Sequence, residues 1–504
     1  MRKMFLLSVL LILLSAAAVL FTKRADKEGT PKKYNVILII IDNLRPDYLG
    51  CYGNHEKLSP NIDKFARDAF IFENVFSQAG YTLPSVMSIM TSLYPVSHGV
   101  LDVYKDKLSP RACTMAEVFE SYGYKTAWFS VLDEPHLDIR AGFGRGFQDL
   151  KNLRASLDNS GDIADWIEEN KNSNFFLALD ARSVHDYHNF FNEDNPGSKN
   201  KFMAGIEELE RRYYYRLLKA AREGKPPFND PEIISKNKEL FDGTYKEEKN
   251  VAILDLLKPE DRYKAVLIRN SLYVFFVKDF GSKYKDLCVE SYDAAVRYTD
   301  KKLIGAILDK VKQQGLGNRT IIVITAGHGE AFGEHNFYGH GVVFFDENLH
   351  VPLIIKMPQA QNGKMIAALT QGIDIMPTIL ELCGIPVPHQ AQGRSLVSLM
   401  FDENAPPVNE YVFAEGGKKK MIRSREWKFI KDYGNKGRDR LYNLLSASGE
   451  KYNVSRKNKN VVSRLELKIK GWQKSLPSYR DQEYFFPPEI DRETREKIRK
   501  TGYW

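Results

Sequence analysis

The run NVILIII at residues 35–41 constrains this chain more than any other stretch. A continuous apolar, β-branched segment of that kind reads as a central strand of a parallel sheet, covered on both faces. It ends on Asp42-Asn43. In open α/β sheets, chemistry gathers outside the carboxyl ends of the strands. A carboxylate at that point is therefore a candidate functional group, although a lone aspartate after a strand can equally cap a helix.

The same grammar recurs downstream. Met115–Gly123 (MAEVFESYG) has helical spacing, and Tyr124–Val131 (YKTAWFSV), Asn174–Leu179 (NFFLAL), Arg319–Thr325 (RTIIVIT) and Val351–Lys356 (VPLIIK) read as strands. Strands separated by helices predict an α/β fold, a mostly parallel sheet flanked by helices. Asp374–Gly384 (DIMPTILELCG) reads as a helix closed by glycine, and from about Asn409 the sequence suggests antiparallel strands followed by a helix, a smaller C-terminal α+β subdomain. A stretch rich in Tyr, Lys and Glu at about 189–285 reads as amphipathic helices inserted over the edge or mouth of the sheet. Its Tyr213-Tyr214-Tyr215 run suits helix packing better than a substrate groove. The predicted organisation is an N-terminal segment at 1–24, a polar linker at 25–33, a catalytic domain at 34–405, a subdomain at 406–479 and a tail at 480–504.

Composition narrows the partners. A length of 504 residues with 43% hydrophobic and 27% charged residues suits a large globular fold. The net charge of +8 is spread through mixed-sign segments and one Lys418-Lys419-Lys420 run, without a nucleic-acid motif, so nucleic acid is not an expected partner. Met4–Phe21 is apolar and flanked by Arg2-Lys3 and Lys23-Arg24. It reads either as a membrane anchor or as a cleaved signal peptide ending near Ala16-Ala17-Ala18. Both readings export the catalytic domain: membrane-anchored, or secreted or periplasmic. Cys51, Cys113, Cys288 and Cys383 are widely spaced with no C-x-x-C pair, which argues against a metal cluster and for buried thiols.

Three ordered blocks carry the chemistry: Asp42-Asn43 followed by LRPDYLGCYG, then GYTLPSVMSIMTSLYPVSHGV at 80–100, then ITAGHGEAFGEHNFYGHGVVFFDENLHVPLIIKMP at 324–358. In order and spacing they resemble the sulfatase family of the alkaline-phosphatase superfamily, over approximately Tyr34–Trp472 with 189–285 unmatched. The resemblance implies hydrolysis of a sulfate ester, with one divalent cation (Ca²⁺ or Mg²⁺, or Mn²⁺) held by Asp42, Asn43 and His328. It places Thr82 at the nucleophile and His98, His185 and His340 around the transferred group. Arg45 and Asp47 match motif positions as structural or catalytic residues, His335 orders its loop, Ser85 caps a helix, and Glu330 caps or supports the metal shell. The partner it implies is a sulfated or phosphorylated small molecule or glycan.

Three positions depart from the family. Asn43 replaces a second aspartate, Val86 replaces an arginine or histidine, and Gly327 stands where the family has a metal-binding aspartate. Fewer carboxylates weaken a hard-cation site. Thr82 replaces the cysteine or serine that becomes formylglycine; oxidising the Cβ of threonine would give a ketone, so Thr82 would have to attack directly. These departures keep two alternatives open: a metal-dependent phosphoryl or phosphonate ester hydrolase or transferase using Thr82, and a non-catalytic protein that binds anions or glycans.

Overall fold

The structure is a computed structural model and describes residues 34–101, 106–130, 142–152, 160–185, 187, 285–358, 362–435, 437–446 and 449–477. Strand β1 (Asn35–Ile41) is buried at every position, as a strand covered on both faces requires. Around it lie β2 (Phe70–Phe76), β3 (Lys125–Ser130), β4 (Asp149–Asn152), β5 (Phe175–Ala181) and β6 (Thr320–Thr325), followed by the short β7 (Ala331–Phe332) and β8 (Tyr338–Gly339), then β9 (His350–Lys356) and β10 (Lys364–Gln371). Eight of these form one sheet in the order β10-β2-β9-β6-β1-β5-β3-β4, while β7 and β8 pair separately. The large sheet is parallel except for β9, which runs antiparallel to both β2 and β6.

This order positions the site. β1 pairs in parallel with β5 on one side and β6 on the other. The carboxyl ends of three neighbouring strands therefore deliver Asp42-Asn43, Arg182–His185 and Gly327-His328 to one edge. The helix Thr82–Thr91 follows β2 and is buried along its whole length. The helix Met115–Ser121 opens with a capping box, Thr114 and Glu117 each satisfying the other's backbone amide.

A second, antiparallel sheet is built from β11 (Val412–Gly416), β12 (Lys419–Arg423), β13 (Trp427–Asp432) and β14 (Arg440–Asn443). Its residues alternate between two apolar clusters, as period-2 side chains must. Val412, Ala414, Met421, Ile430 and Tyr442 pack with Phe344 and Phe345 of the catalytic domain. Ile422, Trp427, Phe429 and Leu441 pack with Leu465, Ile469 and Trp472 of the terminal helix Lys459–Ser475.

The structure corrects several expectations. Ser85 does not cap its helix: the helix begins at Thr82, and Ser85 Oγ donates back to the Thr82 carbonyl at 2.8 Å. All four cysteines are free, Cys51 and Cys113 only half-buried. Among the described residues no helix is long and apolar enough to cross a membrane. On that finding the expectation of a membrane-anchored protein is withdrawn; Met4–Phe21, on which it rested, lies outside the described residues. The linker at 25–33, nearly all of the 189–285 insertion with its tyrosine run, and the tail also lie outside them.

Candidate active site

Asp42 leaves β1 fully buried, its backbone N–H donating to the carbonyl of Ala181. Asn43 then turns the chain with φ of 65°, a left-handed conformation that asparagine tolerates well. Thr82 lies at the first turn of its helix, where unpaired amides favour negative charge. His328 follows β6 across a turn and is also fully buried. These three residues, distant in the chain, converge: Thr82 Oγ1 donates to Asp42 Oδ2 at 3.0 Å and lies 3.1 Å from His328 Nε2, which in turn is 3.2 Å from Asp42 Oδ1.

The protons can be assigned. His328 Nδ1 is 2.9 Å from the carbonyl of Gly329, which can only accept, so Nδ1 carries hydrogen. Burial pushes the imidazole down to about 3, so at neutral pH Nε2 presents a lone pair. Burial alone would raise the Asp42 carboxyl, but His328, His185, Arg182 and His340 together outweigh it and hold it below its ordinary value. An ionised carboxylate and a neutral imidazole nitrogen thus face each other, and the single hydroxyl proton of Thr82 is committed to Oδ2. Asp42 Oδ1 and Asn43 Oδ1 are buried without a hydrogen-bond partner. Two orphaned oxygens beside a nitrogen lone pair are a donor set suited to a hard divalent cation.

Gly327 borders the same space. A Cβ there would lie 3.7 Å from Asp42 Oδ1, but also 2.9 Å from Ser85 Oγ and 3.4 Å from Val86. A side chain at 327 would reach the cluster only if Ser85 gave way.

On the far side of Asn43, Glu330 is buried and accepts from Asn43 Nδ2, while His340 Nδ1 is 2.9 Å from the same Glu330 oxygen. This fixes the asparagine amide: nitrogen toward Glu330, oxygen toward the cluster. Burial works against a charged His340, but the Glu330 carboxylate overcomes it and raises the imidazole above its ordinary value. His340 lies with its ring 4.7 Å from that of His328 and 5.2 Å from that of His185. Arg182 Nη2 is 3.0 Å from His185 Nδ1. The sequence reading missed Arg182; its place just past β5 was the available signal. It returns to the site a guanidinium of the kind that Val86 removes.

Arg45 ties the surrounding loops together, binding Asp47 at 2.7 Å, Glu334 at 3.0 Å and the carbonyl of Glu330 at 3.0 Å. Gly329 permits the chain to pack here, since a Cβ would strike the carbonyl of Glu347 at 2.2 Å and lie 3.1 Å from Arg45 Cγ. His335 stacks on Phe345 with ring centroids 3.8 Å apart. His98 is not brought to the transferred group. Its Nε2 faces Ser88 Oγ and the carbonyl of Pro84 and so ties it to the helix Thr82–Thr91, while its Nδ1 accepts from Val100 N–H in the turn that follows.

A second group that could ligate a metal, His335, Glu347 and Glu450, shares no residue with this cluster. It already borders a cation, because Lys428 Nζ is 2.7 Å from Glu450 Oε1. A depression of about 830 Å³ lined by Arg45, Asp47, Cys51, Glu73 and Asp346 includes none of Asp42, Thr82, His328 or His340.

A buried carboxylate, hydroxyl and imidazole meeting at the carboxyl edge of a mostly parallel sheet suit an enzyme of the α/β class that activates a hydroxyl. The comparisons narrow the class. The sulfatase profile matches residues 34–385, and that of the C-terminal region of N-sulphoglucosamine sulphohydrolase matches residues 333–475. The chain belongs to the sulfatase family, whose members hydrolyse sulfuric esters. It is 27% identical over 410 residues to an ulvan-active sulfatase of Formosa agariphila, covering 78% of this chain and 71% of that one. To an arylsulfatase of Clostridium perfringens it is 25% identical over 477 residues, covering 87% and 96%. In fold it is similar to a protein solved in complex with its substrate D-glucosamine-2-N,6-O-disulfate, with a TM-score of 0.60 at 19% identity over 89% of this chain and 100% of that one. A phosphonate monoester hydrolase from Silicibacter pomeroyi gives 0.61 at 19% identity, over 89% and 96%.

Proposed function

We propose that this sulfatase-family hydrolase cleaves a sulfate ester with Thr82 Oγ as the attacking atom. The observation that carries the reading is the three-way contact of Thr82 Oγ1 with Asp42 Oδ2 and His328 Nε2. Asp42 Oδ1, Asn43 Oδ1 and His328 Nε2 are the atoms that would hold a divalent cation; when bound, it supplies positive charge that favours the threonine alkoxide and offsets the anionic ester.

In the first step Asp42 Oδ2 takes the hydroxyl proton, the Thr82 Oγ–S bond forms and the S–O bond to the alcohol breaks. His340, whose imidazole Glu330 raises above its ordinary value, gives a proton to the departing oxygen. In the second step water attacks sulfur and passes one proton to His340, while the S–Oγ bond breaks and Thr82 recovers its proton from Asp42. Hydrogen sulfate leaves. In this reading Arg182 and His185 bind the sulfate oxygens. The ester's alcohol is proposed to be a glycan, as the names of several relatives suggest for those proteins.

Turnover of a small aryl sulfate by Thr82→Ala and Thr82→Ser variants tests this. The alanine variant is expected to lose about a thousandfold or more in kcat while serine retains measurable activity. Unchanged turnover in Thr82→Ala rejects the nucleophile assignment. The unoxidised hydroxyl nucleophile also favours a second reading, phosphoryl or phosphonate ester cleavage at the same centre. A faster rate on aryl phosphate or phosphonate than on aryl sulfate would select it.

A further inference from the structure

Asn348 takes no part in the proposed steps, yet it is fully buried and bonded to both histidine-bearing loops. It lies in the short helix Asp346–Leu349, directly before β9. That strand is a firm base, paired with β2 on one side and β6 on the other. The base is also fastened beside Asn348, because Ser77 N–H donates to the Leu349 carbonyl at 2.8 Å. From this platform the Asn348 carbonyl accepts from Gly329 N–H at 2.9 Å, and its Nδ2 donates to the Gly339 carbonyl at 2.9 Å. Gly329 follows His328, and Gly339 precedes His340. One residue therefore grips the chain next to each imidazole.

The two grips differ. At the first loop, Gly329 is caught at both ends: its N–H goes to the Asn348 backbone, and its carbonyl lies 2.9 Å from His328 Nδ1. At the second loop, the pairing of β7 with β8 spans only two residues on each strand, a ladder too short to be rigid by itself. The Asn348 side-chain amide adds a bond on one side of His340, and on the other Gly341 N–H donates to the Gly80 carbonyl at 2.7 Å. His340 is thus suspended between the turn before β9 and the segment before Thr82. Asn348 Oδ1 is buried without a hydrogen-bond partner. A leucine of similar volume would avoid that cost. An amide kept in spite of it is kept for its Nδ2 donor.

We propose that Asn348 is a positioning residue: it sets the place of His340, the proton donor to the departing oxygen, relative to His328 and the Thr82 hydroxyl. This rests on the proposed function, in which His340 protonates the leaving alcohol, and adds the residue that aims it. The rings of His340 and His328 lie 4.7 Å apart, and a misplacement of about 1 Å at a reacting group costs on the order of a hundredfold in rate. Without the Nδ2 bond the Gly339 carbonyl loses its tie to the β9 platform, and proton donation suffers. His328 keeps its own support, because the bond from Gly329 goes to the Asn348 backbone and survives a change of side chain.

The test replaces Asn348 by leucine in the full chain, which removes the donor and keeps the volume. Proton donation matters most when the departing oxygen is strongly basic. Turnover of phenyl sulfate is therefore compared with that of 4-nitrophenyl sulfate, whose phenolate leaves readily. Asn348→Leu is expected to lower kcat about thirtyfold on phenyl sulfate and about twofold on 4-nitrophenyl sulfate, with KM for both near that of the parent. Equal losses on both esters, or none on either, overturn the inference, since a general loosening of the fold acts on both alike. Asn348→Ala removes the same donor and is read in the same way should the leucine variant fail to fold. His340→Gln, measured beside it, separates this inference from the reading beneath it. If His340→Gln is selective against phenyl sulfate and Asn348→Leu is not, the inference alone falls. If His340→Gln slows both esters equally, His340 is not the donor and both fall. The double variant is expected to be no slower on phenyl sulfate than His340→Gln alone; losses that multiply overturn the coupling. The same pair of leaving groups, offered as phosphates, serves if phosphate esters prove the faster substrates.

Discussion

The cluster around Asp42 and the cluster around Lys428 are both buried and both charged, and they differ in how the charges are balanced. Lys428, fully buried on β13, binds Asp346 at 2.8 Å and Glu450 at 2.7 Å, and Arg423 reaches the other oxygen of Asp346 at 3.0 Å. Asp346 N–H also donates to Glu450 Oε2 at 2.8 Å. The protein supplies both signs, and the cluster fastens the C-terminal sheet to the catalytic domain. Around Asp42, by contrast, a carboxylate, an amide oxygen and an imidazole lone pair converge, and two of the oxygens have no hydrogen-bond partner. Burying such atoms unpaired costs stability. A fold keeps that arrangement where something else, a cation or a reacting group, completes it.

Three variants break or sharpen the contrast. The largest expected effect is on Asp42→Asn, which removes the proton acceptor and the charge that would anchor a cation. Turnover of an aryl sulfate falls about a thousandfold or more, whereas chemical denaturation shows a much smaller loss of stability, that of the attraction by which the surrounding groups hold the carboxylate ionised. A loss of stability as large as the loss of activity would make Asp42 structural and erase the distinction. Lys428→Ala is expected to do the reverse. It strands Asp346 and Glu450 and costs about 3–5 kcal/mol in denaturant unfolding, with kcat per folded molecule unchanged.

The smallest effect concerns His98. Burial depresses its imidazole to about 3, well below the ordinary value of 6.5. The unfolded chain therefore binds the proton more tightly, so the stability His98 contributes is complete above pH 6.5 and is lost as pH falls toward 3. Its share of the slope is about 1.4 kcal/mol per pH unit. Denaturant unfolding between pH 7 and 5 should be measurably flatter in His98→Gln, with kcat of the folded variant near that of the parent. A collapse of kcat at full stability would return His98 to the reaction.

Much of the fold was legible because its strongest strands are fully buried. β1, β5 and β6 announce themselves as apolar runs, and their adjacency explains why residues after each share one edge. β2 and β10 were not read as strands, because FIFENVF mixes half-buried with buried positions, KMIAALTQ adds exposed ones at the sheet's edge, and their pairing shifts register midway. The reversed direction of β9 leaves no trace in composition, since a buried strand is apolar whichever way it runs.

At the site, Asp42, Thr82 and His328 could be named from motif order, yet their mutual geometry could not. The reading grouped His98 with His185 and His340 because all three sit in motifs. Only tertiary contacts separate a histidine whose nitrogens face Ser88, Pro84 and Val100 from one that Glu330 raises above its ordinary value. The hydrogen bond from Asn43 to Glu330 was equally hidden, 287 residues apart in sequence. It offers a physical account of Asn43: an aspartate there would set one carboxylate against another.

The most direct test of the central claim is to catch Thr82 in the act. Rapid quenching of the full chain with excess aryl sulfate, followed by proteolysis and peptide mass spectrometry, locates any covalent intermediate. A single sulfo group on Thr82, appearing within one turnover and absent from Asp42→Asn, is the predicted result. Turnover with the sulfo group on another residue, or with no labelled residue in a variant slowed at its second step, would contradict it.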